Sequence, residues 1–125
     1  MTWWLSIKLK VTSDASQVIN DYFNDNADTV KREDLAVVIY RQMTRSWSGT
    51  FCQDLIQLTH KEYVKNNERF ENWTDIEEND LNLEFYIDKN FLNEIGHNGT
   101  TMIVDVKSWK ILRKQQHSLV LKIEA

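Results

Sequence analysis

Proline is absent from this chain, glycine occurs three times and cysteine once. Without proline there is no rigid kink and no proline-rich linker, so the sequence offers no hinge between separate domains. Three glycines, at positions 49, 96 and 99, exclude a fibrous repeat and the glycine-rich loops that let backbone N–H groups approach a phosphate. No nucleotide cofactor is expected, nor any other. The single Cys52 cannot close an internal disulfide, which fits a reducing cytoplasm. Long apolar runs are missing too. The longest, Leu35 to Tyr40, falls far short of the roughly 20 residues that span a bilayer. Met1-Thr2-Trp3-Trp4-Leu5 has neither a basic segment nor an apolar stretch of the kind that directs secretion. The chain reads as cytoplasmic, with no membrane partner.

What is present suffices for a core. Of 125 residues 42% are hydrophobic, five are tryptophan, and 27% are charged, so residues 1–125 are expected to fold as a single globular domain. The formal net charge is −4, which disfavours a general nucleic-acid binder. The acidity is local. Residues 61–94 hold ten acids and four bases, whereas residues 95–125 hold two acids and five bases.

Period-two alternation marks residues 3–11 as a strand, with Trp3, Leu5, Ile7, Leu9 and Val11 on one face and Lys8 and Lys10 on the other. Ser13 or Asp14, with Gln17 three residues after Asp14, resembles a helix start, and Val18, Ile19, Tyr22 and Phe23 follow at helical spacing. Leu35 to Tyr40 has the β-branched character of a strand buried on both faces. Residues 50–70 are ambiguous. Cys52, Leu55, Ile56, Thr59 and Tyr63 fall on one helical stripe, which predicts a helix; a hairpin through Trp47-Ser48-Gly49 is the alternative. Residues 71–80 read as an acidic loop. Leu81, Leu83, Phe85 and Ile87 alternate as a strand, Asp88 caps a short helix with Phe91, Leu92 and Ile95, and Gly96 stops it. Strands over 101–109 and through Leu119, Leu121 and Ile123 complete the chain. The expected fold class is α+β: a single mixed or mostly antiparallel sheet of about five strands, with two or three helices packed on it in the order β-α-β-α-β-α-β-β.

Catalytic patterns are lacking. His60, His97 and His117 stand apart, without the paired spacing that delivers zinc ligands. On a helix Cys52 and His60 would lie about 12 Å apart along the axis, too far for a thiolate–imidazole pair. Counting a calcium loop from Asp75 puts Asp80 where glycine is needed and Tyr86 where a bidentate acid is needed. No metal and no enzymatic activity are expected.

The charge cluster remains. Glu68, Glu71, Asp75, Glu77, Glu78 and Asp80 place six acids within thirteen residues, with Trp73 among them and Arg69 the only base. Carboxylates around an aromatic suit docking on a basic protein, because complementary charge steers encounter and an aromatic anchors the contact. These seven residues are the candidate partner-binding set. In size, acidity and lack of catalytic motif the chain resembles the immunity proteins that neutralise bacterial toxins, including those of contact-dependent growth inhibition. The resemblance implies a basic toxin domain, such as a nuclease, as partner. Phage-encoded inhibitors of host defence nucleases share the description. Two further readings are a nucleic-acid-binding module, using Trp3, Trp4, Lys8 and Lys10 with Lys107, Lys110, Arg113 and Lys114, and a small-molecule-binding domain or enzyme with a pocket the sequence does not display.

Overall fold

The computed structural model describes residues 7–74, 76–77, 81–95, 101–111 and 114–124, with side chains omitted at 51–54, 77, 94–95, 108–111 and 114–117. Among them the elements run β1 (Lys8–Val11), α1 (Ser13–Asp25), a 3₁₀ turn (Arg32–Asp34), β2 (Leu35–Ser46), β3 (Gly49–His60), α2 (Lys61–Lys65), β4 (Phe70–Trp73), β5 (Ile76–Glu77), β6 (Glu84–Asp88), α3 (Lys89–Ile95), β7 (Thr101–Ile111) and β8 (Lys114–Glu124). The α+β class is as expected. The single sheet of about five strands is not: there are two four-stranded sheets, ordered β5-β1-β7-β8 and β3-β2-β6-β4.

Both sheets are mixed. In the first, β1 runs parallel to β5 and β7, and β7 is antiparallel to β8. In the second, β2 runs parallel to β6 and antiparallel to β3, and β4 is antiparallel to β6. The chain changes sheet between β1 and β2, between β4 and β5, between β5 and β6, and between β6 and β7, so the α1 and α3 connections do not return to the sheet they left, whereas α2 joins β3 and β4 of the same sheet.

One core joins the two sheets. Ile7, Leu9 and Val11 meet Met102 and Val104 of the first sheet, and Val37, Ile39, Phe85 and Ile87 enter from the second. Ala15, Ile19 and Phe23 of α1 and Phe91 and Leu92 of α3 complete it. Lys8 is exposed and Lys10 half-buried on the other face of β1, so the alternation expected for this strand holds over its described part. The second sheet is covered on its far side as well, where Ala36, Val38 and Tyr86 pack with Val64 of α2, Tyr40 and Phe70. Hence the first residues of β2 are buried on both faces.

Helix α1 starts one residue earlier than Ser13 or Asp14 implied. Thr12 is its N-cap, with Oγ1 accepting from the Ala15 N–H at 3.2 Å, which satisfies one of the free amides at a helix start. Gln17 does not close a capping box; its Nε2 donates to Asp21 Oδ1 at 2.8 Å. The buried stripe is Ala15, Ile19 and Phe23, which leaves Val18 half-buried and Tyr22 exposed. Asp88 behaves as expected at α3, where Oδ1 accepts from the Asn90 N–H at 2.9 Å. Gly96 lies outside the described residues.

The helix expected over 50–70 is mostly a strand, so the hairpin through Trp47-Ser48-Gly49 is the correct alternative. Pairing runs without a break from Leu35↔His60 to Ser46↔Gly49. Gly49 has φ 140°, a conformation side chains disfavour, and Ser46 Oγ accepts from the Ser48 N–H at 3.3 Å. Ile56 and Leu58 pack against the core, opposite Ile39 and Val37. The acidic loop over 71–80 is likewise corrected: β4 and β5 occupy part of it. The strand expected from Leu81 begins only at Glu84, because Asn82 takes a left-handed φ of 56°, off the extended path a strand requires.

Candidate functional site

Strands β4 and β5 are the edge strands of their sheets, and only residues 74–75 separate them. Strands β3 and β8 form the opposite edges and lie against one another. The described parts of the acidic stretch, β4 and β5, therefore lie at one edge of each sheet, and the two long hairpins form the opposite edges. Charge divides the same way. Residues 35–60 and 101–124 together hold seven Lys and Arg against three Asp and Glu, net +4, and residues 68–80 hold one against six, net −5.

The seven candidate residues do not share one surface. Glu68 is exposed in the turn after α2, where Asn67 Oδ1 accepts from the Arg69 N–H at 2.9 Å. Glu71 is half-buried and pairs in register with Ile87; Glu77 lies on β5 opposite Lys10. Asp75, Glu78 and Asp80 lie outside the described residues. Trp73 must be reassigned. It is 7% exposed within the main core, opposite Phe85 in register, because it is on the inward face of β4. Its indole is a packing residue and not a surface anchor.

Arg69, the one base in the stretch, is spent internally. Its Nε and Nη2 donate to Asp88 Oδ2 at 3.1 and 2.9 Å, and its guanidinium lies 5.2 Å from the Phe70 ring. Asp88 is 3% exposed, so the cation compensates a carboxylate withdrawn from water. The Lys89 N–H donates to the Arg69 carbonyl at 2.9 Å. This pair ties the turn before β4 to the end of β6 and the start of α3, holding the acidic edge in place.

Two other polar clusters are structural. Burial first, then a 2.8 Å hydrogen bond to Glu84, pushes the Tyr86 phenol up to about 12. On the outer face of the first sheet, Lys122 Nζ sits 2.8 Å from Asp105 Oδ2, and Thr12 Oγ1 donates to Asp105 Oδ1 at 3.0 Å. The Lys122 hydrogen bond, then the Val106 N–H and the Thr12 hydroxyl, hold the Asp105 carboxyl below its ordinary range. A depressed carboxyl contributes stability above its unfolded pKa of about 3.9, lost as pH falls through the lower folded value. We expect Asp105→Asn to have a smaller stability difference than the parent between pH 7 and pH 3. Urea unfolding at the two pH values measures it; identical differences would contradict the assignment.

Among the described residues no group of three or more His, Cys, Asp and Glu is placed to hold a metal ion. In β3 the Cys52 and His60 positions lie about 26 Å apart along an extended strand, so the helical spacing does not apply and the pair is still too distant to react. Trp3 and Trp4 lie outside the described residues; Lys107 is exposed on β7. No helix among the described residues is long and apolar enough to cross a membrane.

Sequence reasoning missed the distal half of the β2–β3 hairpin. Pairing of β2 with β6 ends at Ile39↔Ile87, so from Tyr40 onward the hairpin is a two-stranded arm. Arg41 anchors its base with its guanidinium 4.9 Å from the Phe91 ring. Residues 42–50 are exposed, with Met43 at 63% and Trp47 at 99%. A tryptophan with no apolar neighbour inside a Ser-Trp-Ser-Gly turn was the available signal. No family, no curated protein and no solved structure matches this chain.

Proposed function

We propose that this protein is a non-enzymatic binding protein that inhibits a basic macromolecular partner, the physical type shared with immunity proteins of toxin–immunity systems. The supporting observation is that the sequence stretch carrying six carboxylates in thirteen residues contains the edge strands β4 and β5, while the hairpins at the opposite edges are net basic. Such a charge dipole orients an approaching cationic domain and raises its encounter rate, most strongly at low ionic strength. The contact acids are Glu68, Asp75, Glu77, Glu78 and Asp80, with Glu71 at the margin. A nuclease toxin domain meets the chemical requirement, since a surface that handles nucleic acid is basic.

Reversing Glu68, Glu77, Glu78 and Asp80 to lysine tests this. The partner to use is the basic nuclease domain that the proposal requires, co-expressed with the parent or the variant. The parent should co-purify with that domain and relieve its toxicity; the variant should fold with an unchanged thermal midpoint and do neither. Equal protection by both would remove the edge from the mechanism. Trp73 is left intact in this test because replacing it would destabilise the fold and confound the reading.

A further inference from the structure

We propose that the tip of the β2–β3 arm docks into the cleft between α1 and β7 of a second copy of this chain, and that the exchange is reciprocal. This goes beyond the docking of a basic partner and uses different residues. The arm has an apolar tip with one cation, Arg45, beside it. Trp47 and Met43 project with Arg45, and no acid occurs between Asp34 and Asp54. The cleft is its complement. It encloses about 630 Å³, with Val18, Tyr22 and Val106 as its apolar part and Asp14, Asp21 and Asp25 around them.

Both surfaces are left open within one chain: Trp47 is 99% and Tyr22 41% exposed, so neither is satisfied by the other in the same molecule. Tryptophan is seldom left in water, and an indole buries about 150–250 Å² when it is covered. The carboxylates, for their part, sit where a helix disfavours them. Asp21 and Asp25 occupy the C-terminal turns of α1, which carries no base in its last turn. There the helix dipole opposes negative charge, and a cation from outside would relieve it. One arm alone buries far less than the roughly 1,200 Å² of a stable interface. Two arms exchanged across a two-fold axis double the contact and close the assembly, whereas one-way docking would propagate an open chain.

Sedimentation velocity on the full chain, over roughly 5–500 µM as suits a small interface, reads the proposal directly. Expected is a concentration-dependent dimer, weakened as salt shortens the screening length from about 10 Å at 0.1 M to about 3 Å at 1 M. Trp47→Ala, Arg45→Glu and the pair Asp21→Lys with Asp25→Lys should each weaken dimerisation at least tenfold. Arg45→Glu combined with those two lysines should restore it, which a merely misfolded variant would not. Because Trp47 is fully exposed, its alanine variant should keep the parent's thermal midpoint. A chain that stays monomeric throughout, or a dimer indifferent to Trp47→Ala, overturns the proposal. So does a monomer that binds a single-stranded oligonucleotide only when Trp47 is present, which would assign the arm to nucleic acid. Charge reversal of the β4–β5 edge should leave the dimer intact, so failure of this inference and failure of the proposed function are separately visible.

Discussion

Trp73→Ala lowers the stability of the protein by about 3–5 kcal/mol, the range for truncating a large aromatic in a packed core. The indole is 7% exposed and shares the core with Phe85, Leu81 and Leu83, so truncation leaves a cavity that flanking strands cannot fill without shifting. Native stabilities are only about 5–15 kcal/mol, so the loss is a large fraction of the total. The thermal midpoint should fall on the order of 10–20 °C. Trp47→Ala is the matched control. The same substitution at a fully exposed indole should leave the midpoint where it was. Differential scanning calorimetry of both variants checks the ranking, and a destabilised Trp47→Ala beside an unaffected Trp73→Ala would refute the placement of both residues.

Arg69→Ala is expected to cost a comparable amount, about 3–5 kcal/mol, for an electrostatic reason: removing one partner strands the other charge where water does not reach. Arg69 is itself half in solvent, with 47% of its side chain exposed against 4% for Asp88. The loss therefore comes from the carboxylate left behind, which among the described residues keeps the Asn90 N–H on Oδ1. That asymmetry makes a sharper prediction. Arg69→Ala with Asp88→Asn should be more stable than Arg69→Ala alone, because a neutral amide tolerates the site better than an unpaired charge. Arg69→Lys should recover only part of the loss, since an ammonium is a single point donor where Nε and Nη2 now both bond. Equilibrium urea unfolding of the parent, Arg69→Ala, Asp88→Asn and the double variant gives the double-mutant cycle. Strict additivity would contradict the coupling.

Where one face of an element was buried and the other wet, the sequence was readable. Lys8–Val11 follows that rule, and the start of β2 at Leu35 and the Phe85–Ile87 strand were readable as short apolar runs because both of their faces are buried. It failed where burial did not impose a pattern. Beyond Arg41 β2 leaves the core and residues 42–50 are exposed, so burial does not constrain alternation there. The helical spacing of Cys52, Leu55, Ile56 and Thr59 was a coincidence of composition on an edge strand. The existence of two sheets was hidden for a different reason. Periodicity reports that a strand has a buried face but not which strand it pairs with, and β1 finds β7 across more than ninety residues.

The acidic stretch illustrates both limits. Its charge was plain in the sequence, but its position along two adjoining sheet edges follows from pairings with β6 and β1 that local pattern does not encode. Trp73 looked like an aromatic among acids because its neighbours in sequence are charged. In the fold its neighbours are Phe85 and the core, since inward and outward positions alternate along β4. Acids on such an edge have a second consequence: they keep unpaired strand groups from templating association with other chains.

The central claim is that the β4–β5 edge binds a basic protein, and titration calorimetry with the basic nuclease domain it is proposed to inhibit tests it most directly. The parent should bind, and the variant with Glu68, Glu77, Glu78 and Asp80 reversed to lysine should bind at least a hundredfold more weakly, in keeping with the coupling energies of close charge pairs. The same affinity for both proteins, or no binding by the parent at low salt, would contradict it.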